Sequence, residues 1–518
     1  MRIDSKLWLL ALAAAGWMAC GGPETFSIEL ATVDNCNNLV DLVQPGHRVK
    51  LTVSGPGMAP IVVEADGASG GVEIPDIPAG KDRVVAVEVR EPNGDLYARG
   101  ESAAFEVKED GTSTVRVVLY RTNYFSRVVG PNGACSAMRQ ARAGHAAAPL
   151  SDHRVLIAGG YTGLRDDGQT PDGILDSVEI FDARAGTFQR GPSLPEPRAL
   201  ARAVSLGDGR VLLVGGVKDE GGAIVPRKDA FLFDGRSWKT IPTAVARRGH
   251  TVTLVAATGH VLVVGGVDEN DEVVSTVEVF DPDTETFSEL DLGERGGDLA
   301  RAFHGAVNAG QGGSAVAVVG GIDGEGRVTG LVNLLQWDNL QKTYILSRTY
   351  QLATPVMLPA TMVLGSAAGP RLVVAGGASA YVAGPGRPGA GSPSGETSVV
   401  QHMDAMSGTG QGSAELHAGT AVMEACGVAL DSSRGLVLGG WRRNVGPLDV
   451  GDLVRLVSGT ISVSPAGESS GRMKALKHLA CTPLGQNGVL VTGGFDKNAN
   501  ASDVALVYFL KAETGRAN

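Results

Sequence analysis

Short apolar runs separated by glycine-rich turns recur along almost the whole chain. In residues 24–120, apolar and polar positions alternate with a period of two, as in residues 49–53, 84–89 and 115–119. This period places successive side chains on opposite faces of an extended strand. A Pro-Asn-Gly-Asp turn at residues 92–95 predicts a hairpin between two of these strands. The pattern therefore predicts six or seven strands in this segment and an all-β protein.

A second pattern begins after residue 120. An aliphatic run that ends in two glycines recurs seven times, and the first glycines are Gly159, Gly215, Gly265, Gly320, Gly376, Gly439 and Gly493. The spacing between them ranges from 50 to 63 residues. In the first four repeats a strand with an acidic turn follows, and then an aromatic residue: Phe188, Trp238, Phe287 and Tyr344. A recurring period of this size indicates a chain built from repeated small sheets.

These residues resemble the kelch repeat, whose period is about 50 residues. The resemblance covers about residues 121–512 and implies a seven-bladed kelch-type β-propeller with four strands in each blade. The fifth to seventh repeats depart from the pattern, because they lack the full acidic turn and the aromatic residue. We expect residues 26–120 to form a small immunoglobulin-like or transthyretin-like β-sandwich before the propeller, and residues 513–518 to form a tail.

The two ends of the repeated region are expected to meet. The chain reaches its last predicted strand at residues 504–509, and this repeat then lacks an outer strand. Residues 123–128 precede the first blade and could supply that strand. Closing the ring in this way would leave no exposed sheet edge.

The first nineteen residues have the layout of an export signal. Arg2 and Lys6 precede a short apolar run, and a small residue stands directly before Cys20. The run is shorter than the roughly 20 residues that a membrane-spanning helix requires, so an uncleaved anchor is the less favoured alternative.

Residues 16–20 resemble a bacterial lipobox, although Trp17 stands where an aliphatic residue is usual. The resemblance implies a lipoprotein signal peptide at residues 1–19 and lipidation of Cys20, followed by a tether at residues 20–25. It also implies a membrane partner through the lipid anchor. We expect the protein in the cell envelope, as an outer-membrane lipoprotein that is periplasmic or surface-exposed.

Four cysteines remain beyond Cys20, and none of them forms a Cys-x-x-Cys pair. In an exported protein such cysteines are able to form disulfides. Cys426 and Cys481 precede a glycine pair by similar distances, so they could lie on adjacent inner strands. Their pairing, with Cys36 and Cys135 as the second pair, and four free buried thiols both remain open.

Composition narrows the range of partners. Apolar residues make up 43% of the chain, as in an ordinary globular protein, and the formal net charge is -11. A general affinity for nucleic acid requires concentrated Lys and Arg, which this chain lacks. We therefore expect a monomer that binds no nucleic acid.

Arginine and histidine recur just before the predicted innermost strands. The candidate ligand-binding residues are Arg142, His145, Arg198, Arg247, His250, Arg301 and His304, and His478 falls at a similar place in the last repeat. Around a ring these side chains would converge as a cationic cup for a carboxylate or a sulfated glycan. The alternative is that they hydrogen-bond neighbouring loops in every repeat. We expect no metal site and no cofactor, because ligands on separate blades rarely meet at bond lengths of about 2 Å.

Two further features lie near the glycine pairs. Asp268, Asp323 and Asp496 follow them, and such residues either bind calcium or cap turns. The fifth repeat is lengthened by a Gly- and Pro-rich insertion at residues 384–395. Long loops on a rigid scaffold often carry binding function.

No residue is identified as catalytic. The sequence indicates a non-enzymatic cell-envelope lipoprotein that binds a glycan or a protein through the loop face of a kelch propeller. Kelch propellers also occur in sugar oxidases and sugar mutarotases, so the alternative is a carbohydrate-active enzyme on the same fold.

Overall fold

The computed structural model describes residues 9–11, 26–32, 43–67, 74–108, 113–131, 133–150, 153–365, 369–384, 387–467 and 473–511. The chain divides into two units. The first comprises residues 1–137, 182–188 and 505–518, and the second comprises residues 138–181 and 189–504. The predicted domain boundaries stay predictions.

One hydrogen-bonded sheet dominates the first unit. Its strands are Leu9–Ala11, Phe26–Thr32, Arg48–Ser54, Ile61–Asp66, Gly80–Arg90, Leu96–Glu101, Phe105–Val107 and Ser113–Arg121. The predicted hairpin is present, since Arg90 pairs with Leu96. Val49, Leu51 and Val53 are buried at alternate positions of one strand, which accounts for the period of two in the sequence.

In the described part of the remaining chain, seven four-stranded sheets follow one another. Their strands, sheet by sheet, are Ala146–Pro149, Arg154–Ala158, Val178–Asp182 and Thr187–Arg190; Arg202–Ser205, Val211–Val214, Asp229–Phe233 and Trp238–Pro242; Thr251–Leu254, Val261–Val264, Val277–Asp281 and Thr286–Glu289; Gly305–Ala309, Ala315–Val319, Leu331–Asp338 and Thr343–Gln351; Ala360–Leu364, Arg371–Ala375, Val399–Asp404 and Gly412–Glu415; Cys426–Ala429, Arg434–Leu438, Gly451–Val457 and Thr460–Pro465; and Ala480–Gly485, Gly488–Thr492, Ala505–Phe509 and Ser126–Arg127. In each sheet the strands pair in the order given.

Shorter elements connect these strands. Two-stranded hairpins follow the glycine pairs of the first, second, fifth and sixth sheets: Tyr161–Leu164 with Pro171–Ile174, Val217–Glu220 with Ala223–Pro226, Ala378–Gly384 with Arg387–Glu396, and Trp441–Arg442 with Gly446–Pro447. Three 3-10 helices are described, at Gly293–Leu299, Gln311–Gly313 and His417–Gly419.

The first strands of consecutive sheets lie against one another, and the first strand of the seventh sheet lies against that of the first sheet. Apolar clusters fill the space between neighbouring sheets. Leu212 of the second sheet, for example, shares a buried cluster with Val263 and Phe280 of the third. Each aliphatic run in the sequence is therefore buried on both faces, which is why it is continuous rather than alternating.

The glycine pairs are required by the close approach of the next sheet. Gly265 and Gly266 have φ values of +59° and +108°. A Cβ atom on Gly265 would collide with the carbonyl oxygen of Arg301 and lie 3.1 Å from the ring of His304. Only a residue without a side chain fits both the backbone conformation and this space.

The expected pairing of the two chain ends is present. Leu506 pairs with Arg127 and Val507 pairs with Ser126, both antiparallel. The carboxamide oxygen of Asn123 accepts hydrogen bonds from the hydroxyl of Tyr508, at 3.0 Å, and from a backbone N–H. The strand Ser126–Arg127 is shorter than the predicted segment 123–128.

Cys426 and Cys481 form a disulfide between the first strands of the sixth and seventh sheets, with their Cα atoms 6.1 Å apart. Adjacent inner strands therefore hold this pair, as their spacing suggested. Cys135 is also disulfide-bonded. Its proposed partner, Cys36, lies outside the described residues, so that pairing stays a prediction.

The lipidation site Cys20 and the tether also fall outside the described residues. Of the predicted signal peptide the structure describes Leu9–Ala11, which pairs with the strand Phe26–Thr32. Loss of residues 1–19 would remove this edge strand. Within the described ranges no helix combines the length and apolar character that a membrane crossing requires.

Candidate functional site

The four candidate arginines lie in the interior of the second unit. Arg142, Arg198, Arg247 and Arg301 are each 0% or 1% exposed. Each one donates a hydrogen bond through Nη1 to the carbonyl oxygen of the first glycine in its own repeat. These acceptors are Gly159 at 2.8 Å, Gly215 at 3.0 Å, Gly265 at 2.8 Å and Gly320 at 3.3 Å. The guanidinium groups thus tie the loop before each first strand to the end of the second strand.

Each guanidinium also reaches a polar side chain on the third strand of its sheet. The pairs are Arg142 with Glu179, Arg198 with Asp229, Arg247 with Glu278 and Arg301 with Asn333. Burial lowers the pKa of Arg301 to about 10, against the opposing charges of Asp298 and Asp323, so the group remains protonated at neutral pH. The positive charges are compensated within the protein rather than offered to a ligand.

The three candidate histidines lie between neighbouring sheets. His145, His250 and His304 are 8%, 0% and 7% exposed. Nε2 of His145 lies 2.9 Å from the hydroxyl of Thr492, and Nε2 of His304 lies 2.8 Å from that of Thr251. Burial, followed by the charge of the preceding arginine, lowers the pKa values of His145 and His304 to about 3. These rings are neutral at physiological pH.

The expected exposed cationic cup is therefore not formed by these seven side chains. The arginines are buried on internal acceptors, His145 and His304 each lie within hydrogen-bond distance of a threonine of the neighbouring sheet, and His250 is fully buried. The geometry favours the alternative, in which these residues hydrogen-bond neighbouring loops. A ligand-binding role for them stays an untested prediction.

His478 does not occupy the place expected for it. It lies fifteen residues before its glycine pair, whereas His145 lies fourteen residues before its own. Its structural equivalent in the first repeat is Gly144, since both have a φ value of +55° and Gly144 N–H donates to the carbonyl of His478 at 2.9 Å. This single-residue difference moves the imidazole to a different surface.

A ring of seven equivalent residues, which we call the mouth ring, stands just before the first strands. It consists of Gly144, Leu200, Gly249, Phe303, Leu358, Glu424 and His478, all with φ between +52° and +65°. Backbone hydrogen bonds join neighbours, as from Leu200 N–H to the Gly144 carbonyl at 2.8 Å and from Leu358 N–H to the Phe303 carbonyl at 2.7 Å. Because five of these residues are not glycine, the ring holds strained backbone, which often accompanies functional sites.

Two polar members of the mouth ring form a hydrogen-bonded chain. His478 Nε2 lies 2.8 Å from Glu424 Oε2, and the Trp441 indole N–H donates to the same oxygen at 2.8 Å. On its other side, His478 Nδ1 lies 2.5 Å from the hydroxyl of Tyr161. The remaining members of the ring are glycine or apolar, so this chain makes one side of the ring chemically distinct.

The electrostatics of this chain follow from its enclosure. Burial would raise the pKa of Glu424, but His478, Trp441 and Lys477 together lower it below its ordinary value. Burial, followed by the negative charge of Glu424, raises the pKa of Tyr161. Glu424 is therefore an ionised carboxylate beside a neutral phenol. Such a carboxylate and imidazole are able to bind a polar ligand or to move a proton.

The hairpins after the glycine pairs begin beside the mouth ring, where Ala199 pairs with Val217 and Met357 pairs with Ala378. Two neighbouring pairs of these hairpins are joined. Arg165 of the first hairpin pairs with Asp219 of the second at 2.6 Å. Arg443 of the last hairpin donates to the carbonyl of Pro393 in the long hairpin at 2.7 Å. Since loops on the rim of a rigid scaffold commonly carry binding function, this joined rim is a candidate interaction surface.

The insertion of the fifth repeat forms most of the long hairpin. Gly389 N–H donates to the carbonyl of Asp271, in the loop of the third sheet, at 2.7 Å. Arg248 donates to Asp271 at 2.9 Å and to the Gly389 carbonyl at 3.3 Å. The insertion is therefore held against the loop of the third sheet by a small polar network.

The aspartates after the glycine pairs cap turns. One carboxylate oxygen of Asp268 accepts the N–H groups of Asn270 and Glu272, and Asp323 and Asp496 repeat the arrangement. This geometry favours turn capping over calcium binding. No group of three or more His, Cys, Asp or Glu side chains suited to a metal ion occurs within the described part of the chain.

Sequence reasoning missed Glu424, Tyr161 and the position of His478. Glu424 and His478 both lie fifteen residues before a glycine pair, so alignment on the glycines could have placed them together. Tyr161 lies directly after a glycine pair but has no special sequence pattern. Only the fold shows that its hydroxyl meets His478.

Comparisons with known proteins agree with the repeat pattern. The kelch motif matches residues 248–291. An F-box/kelch-repeat protein of Arabidopsis thaliana is 30% identical over 133 residues, which cover 25% of this chain and 35% of that protein. Human kelch domain-containing protein 8B is 28% identical over 115 residues, which cover 20% of this chain and 32% of that protein. The match thus spans about a third of the length of these relatives.

Among solved structures, that of YjhT aligns with a TM-score of 0.46 at 16% identity, covering 63% of this chain and 99% of that one. The kelch motif, the kelch-repeat relatives and the recurring four-stranded sheets together support a kelch-repeat protein with a β-propeller fold.

Proposed function

We propose that the seven sheets are the blades of one closed propeller and that the N-terminal sheet belongs to an immunoglobulin-like or transthyretin-like β-sandwich. The circular order of contacts among the first strands supports closure. The hydrogen bond from Gly144, before the first sheet, to His478, before the seventh, supports it independently. In a closed propeller the mouth ring surrounds the opening of a central channel.

On this scaffold the protein acts as a binding module, and its face for a glycan or protein partner is the mouth ring with its rim of hairpins. The observation that carries this proposal is the asymmetry of that face. Glu424, His478 and Tyr161 form a polar chain on one side, and the long hairpin stands on the rim with Val382 68% exposed. A purely structural ring would not require either feature.

The test removes the long hairpin without touching the sheets. Residues 378–396 are replaced by the short turn that the fourth sheet carries at residues 322–328. We expect the wild-type chain to bind members of a glycan array, or to cross-link to a protein partner through a photoreactive residue at Val382, and the shortened variant to lose that binding.

The matched control is Leu340, which is 94% exposed on a turn between the third and fourth strands of the fourth sheet. A photoreactive residue at Leu340 should give no partner adduct, because that turn lies at the opposite end of the strands. Identical adducts at both positions, with no array hit, would exclude this face as the binding surface.

Display from the cell envelope is part of the proposal. Lipidation of Cys20 would attach the mature chain to a membrane through the tether. The resemblance to lipoprotein signals implies that this membrane is the outer membrane. Radiolabelled palmitate should be incorporated by the wild-type chain and not by Cys20→Ala. Equal incorporation by both chains would exclude Cys20 as the anchor.

The second candidate function is a carbohydrate-active enzyme, and the hydrogen-bonded chain through His478 favours it. An ionised carboxylate next to an imidazole is a common acid–base pair. In mutarotation a base takes the proton of the anomeric hydroxyl while an acid protonates the ring oxygen and the C1–O bond breaks, and the reverse transfers close the ring on the other face of the carbonyl. Magnetization-transfer NMR of anomer exchange tests this candidate. A rate unchanged by the wild-type protein, or equal for wild type and Glu424→Gln, argues against the enzyme.

A further inference from the structure

One charged side chain stands apart on the innermost strands. The seven first strands, at residues 146–149, 202–205, 251–254, 305–309, 360–364, 426–429 and 480–485, contain a single Lys, Arg, His, Asp or Glu, and it is Arg202. Small or apolar residues dominate the rest of these strands. The repeat therefore offers no structural reason for a guanidinium at this place, unlike at Arg247 or Arg301.

The surroundings of Arg202 differ from those of the buried arginines. Its side chain is exposed, and among the described residues it has neither an ion pair nor a hydrogen bond. The strand of Arg202 nevertheless lies between the first strands of the first and third sheets. Burial lowers the pKa of Arg202, and the charge of Glu424 opposes that shift. In the proposed closed propeller, a solvent-open group on an innermost strand lies in the wall of the central channel.

An enclosed cation without a partner is unfavourable, because it has lost part of its hydration and gained no counter-charge. The arginines 142, 198 and 247 are each compensated by a carboxylate at 2.5–2.8 Å. Arg202 is left for an external anion. A guanidinium matches the two oxygens of a carboxylate through parallel hydrogen bonds.

Glu424 supplies a second, oppositely charged group. Its Oε2 accepts from Trp441 and lies next to His478, whereas Oε1 has no partner in the described part of the chain. The side chain is 25% exposed and is held in one orientation by these two neighbours. A fixed carboxylate oxygen of this kind accepts a hydrogen bond from a hydroxyl or an ammonium group and disfavours a bare anion.

We propose that the channel binds a small organic carboxylate that also carries a hydrogen-bond donor. Arg202 holds the carboxylate, and Oε1 of Glu424 accepts from the donor. The apolar members of the mouth ring, Leu200, Phe303 and Leu358, bound the rest of the opening. This inference rests on the proposed closed propeller and names the ligand class of its mouth.

Isothermal titration calorimetry of the purified chain tests it. The probes are D-glucuronate, whose donors are hydroxyls, and L-alanine, whose donor is an ammonium, with acetate, D-glucose and inorganic phosphate for comparison. We expect at least one of the first two to bind at least tenfold more tightly than acetate, glucose or phosphate. Binding of glucuronate would identify the ligand's donor as a hydroxyl, and binding of alanine would identify it as an ammonium group.

Variants assign the contacts. Arg202→Gln should weaken binding at least tenfold, and Arg202→Lys should restore part of it because the charge returns. Glu424→Gln should weaken the preferred probe, and it should leave acetate binding equal or tighter because it removes a negative charge that disfavours a bare anion. The control is Arg236→Gln, an exposed arginine on the outer turn of the same sheet, which should bind as wild type. Circular dichroism confirms that each variant is folded.

The inference is overturned if neither glucuronate nor alanine binds, or if folded Arg202→Gln binds as tightly as wild type. Failure here is separable from failure of the binding-module proposal. If the shortened hairpin variant loses a glycan or protein partner but no carboxylate binds, the binding-module proposal stands and the carboxylate site is rejected. If carboxylate binding depends on Arg202 but no partner binds at the rim, the carboxylate site stands and the binding-module proposal is rejected.

Discussion

Replacing Arg247 by leucine removes a buried cation that is bonded to three partners inside the protein. Its guanidinium is enclosed and bonds to Glu278 at 2.5 Å, to the Gly265 carbonyl at 2.8 Å and to the Thr276 carbonyl at 3.2 Å. In Arg247→Leu, the carboxylate of Glu278 stays 1% exposed and loses its counter-charge. Breaking a buried pair from one side costs about 3–5 kcal/mol of the free energy of unfolding.

A double-mutant cycle separates this charge effect from lost packing. Arg247→Leu combined with Glu278→Leu removes both charges, so the double variant should be less destabilised than the sum of the two single variants. We expect a coupling of about 2–3 kcal/mol between the two positions. The double variant remains less stable than wild type, because the N–H of Ala244 donates to Glu278 at 2.7 Å and loses this acceptor.

The assay is urea unfolding followed by tryptophan fluorescence. Arg236→Leu, on an exposed turn, serves as the control and should change the free energy of unfolding by less than about 0.5 kcal/mol. If Arg247→Leu unfolded at the same urea midpoint as wild type, the guanidinium would not stabilise the fold. A ligand contact would then be the better explanation for its recurrence.

Three further predictions concern the sheets and their junctions. Removing the disulfide by Cys426→Ala should lower the free energy of unfolding by up to about 4 kcal/mol, because a bridge between cysteines 55 residues apart restricts the unfolded chain. Non-reducing urea titrations measure this change, and equal unfolding midpoints for variant and wild type would contradict it. The folded-state pKa of His304, about 3, lies below its unfolded value of about 6.5, so its contribution is complete above about pH 6.5 and is lost as the pH falls towards 3, by up to about 1.4 kcal/mol per pH unit. His304→Gln should therefore flatten the decrease in urea midpoint between pH 7 and pH 4.5, and an unchanged slope would count against the prediction. Gly265→Ala should destabilise the protein by more than Gly221→Ala. Gly221 has a similar φ but nothing within 4 Å of an added Cβ, so Gly221→Ala should cost only the backbone strain of about 1–2 kcal/mol. Thermal melting compares the two variants, and equal shifts in melting temperature would exclude the steric effect.

The recurring sheets could be predicted from the sequence because their signals are local. A buried strand between two others requires a continuous aliphatic run, and the run at Val261–Val264 is buried at every position. The glycines that end such runs are necessary wherever the next repeat approaches, as Arg301 approaches Gly265. These requirements apply to each repeat separately, so their sevenfold recurrence allows the sheets to be predicted from the sequence.

The candidate site could not be predicted in the same way. Arg247 and His304 are prominent in the sequence because they recur, and the arginine recurs because the first four sheets use the same internal bonds. The proposed function instead depends on positions where the repeats differ, such as Glu424 and His478, where the other five repeats have glycine or an apolar residue.

By itself the sequence determined the strand pattern, the sevenfold repetition and the places where glycine is indispensable, since these depend on neighbours along the chain and on one preceding or following repeat. The tertiary structure alone decided which polar groups are compensated inside the protein and which remain available. Arg142 precedes a first strand and Arg202 begins one, but Arg142 meets Glu179 and Arg202 has no internal partner among the described residues. The difference arises because a partner from a distant part of the chain is brought near only by folding.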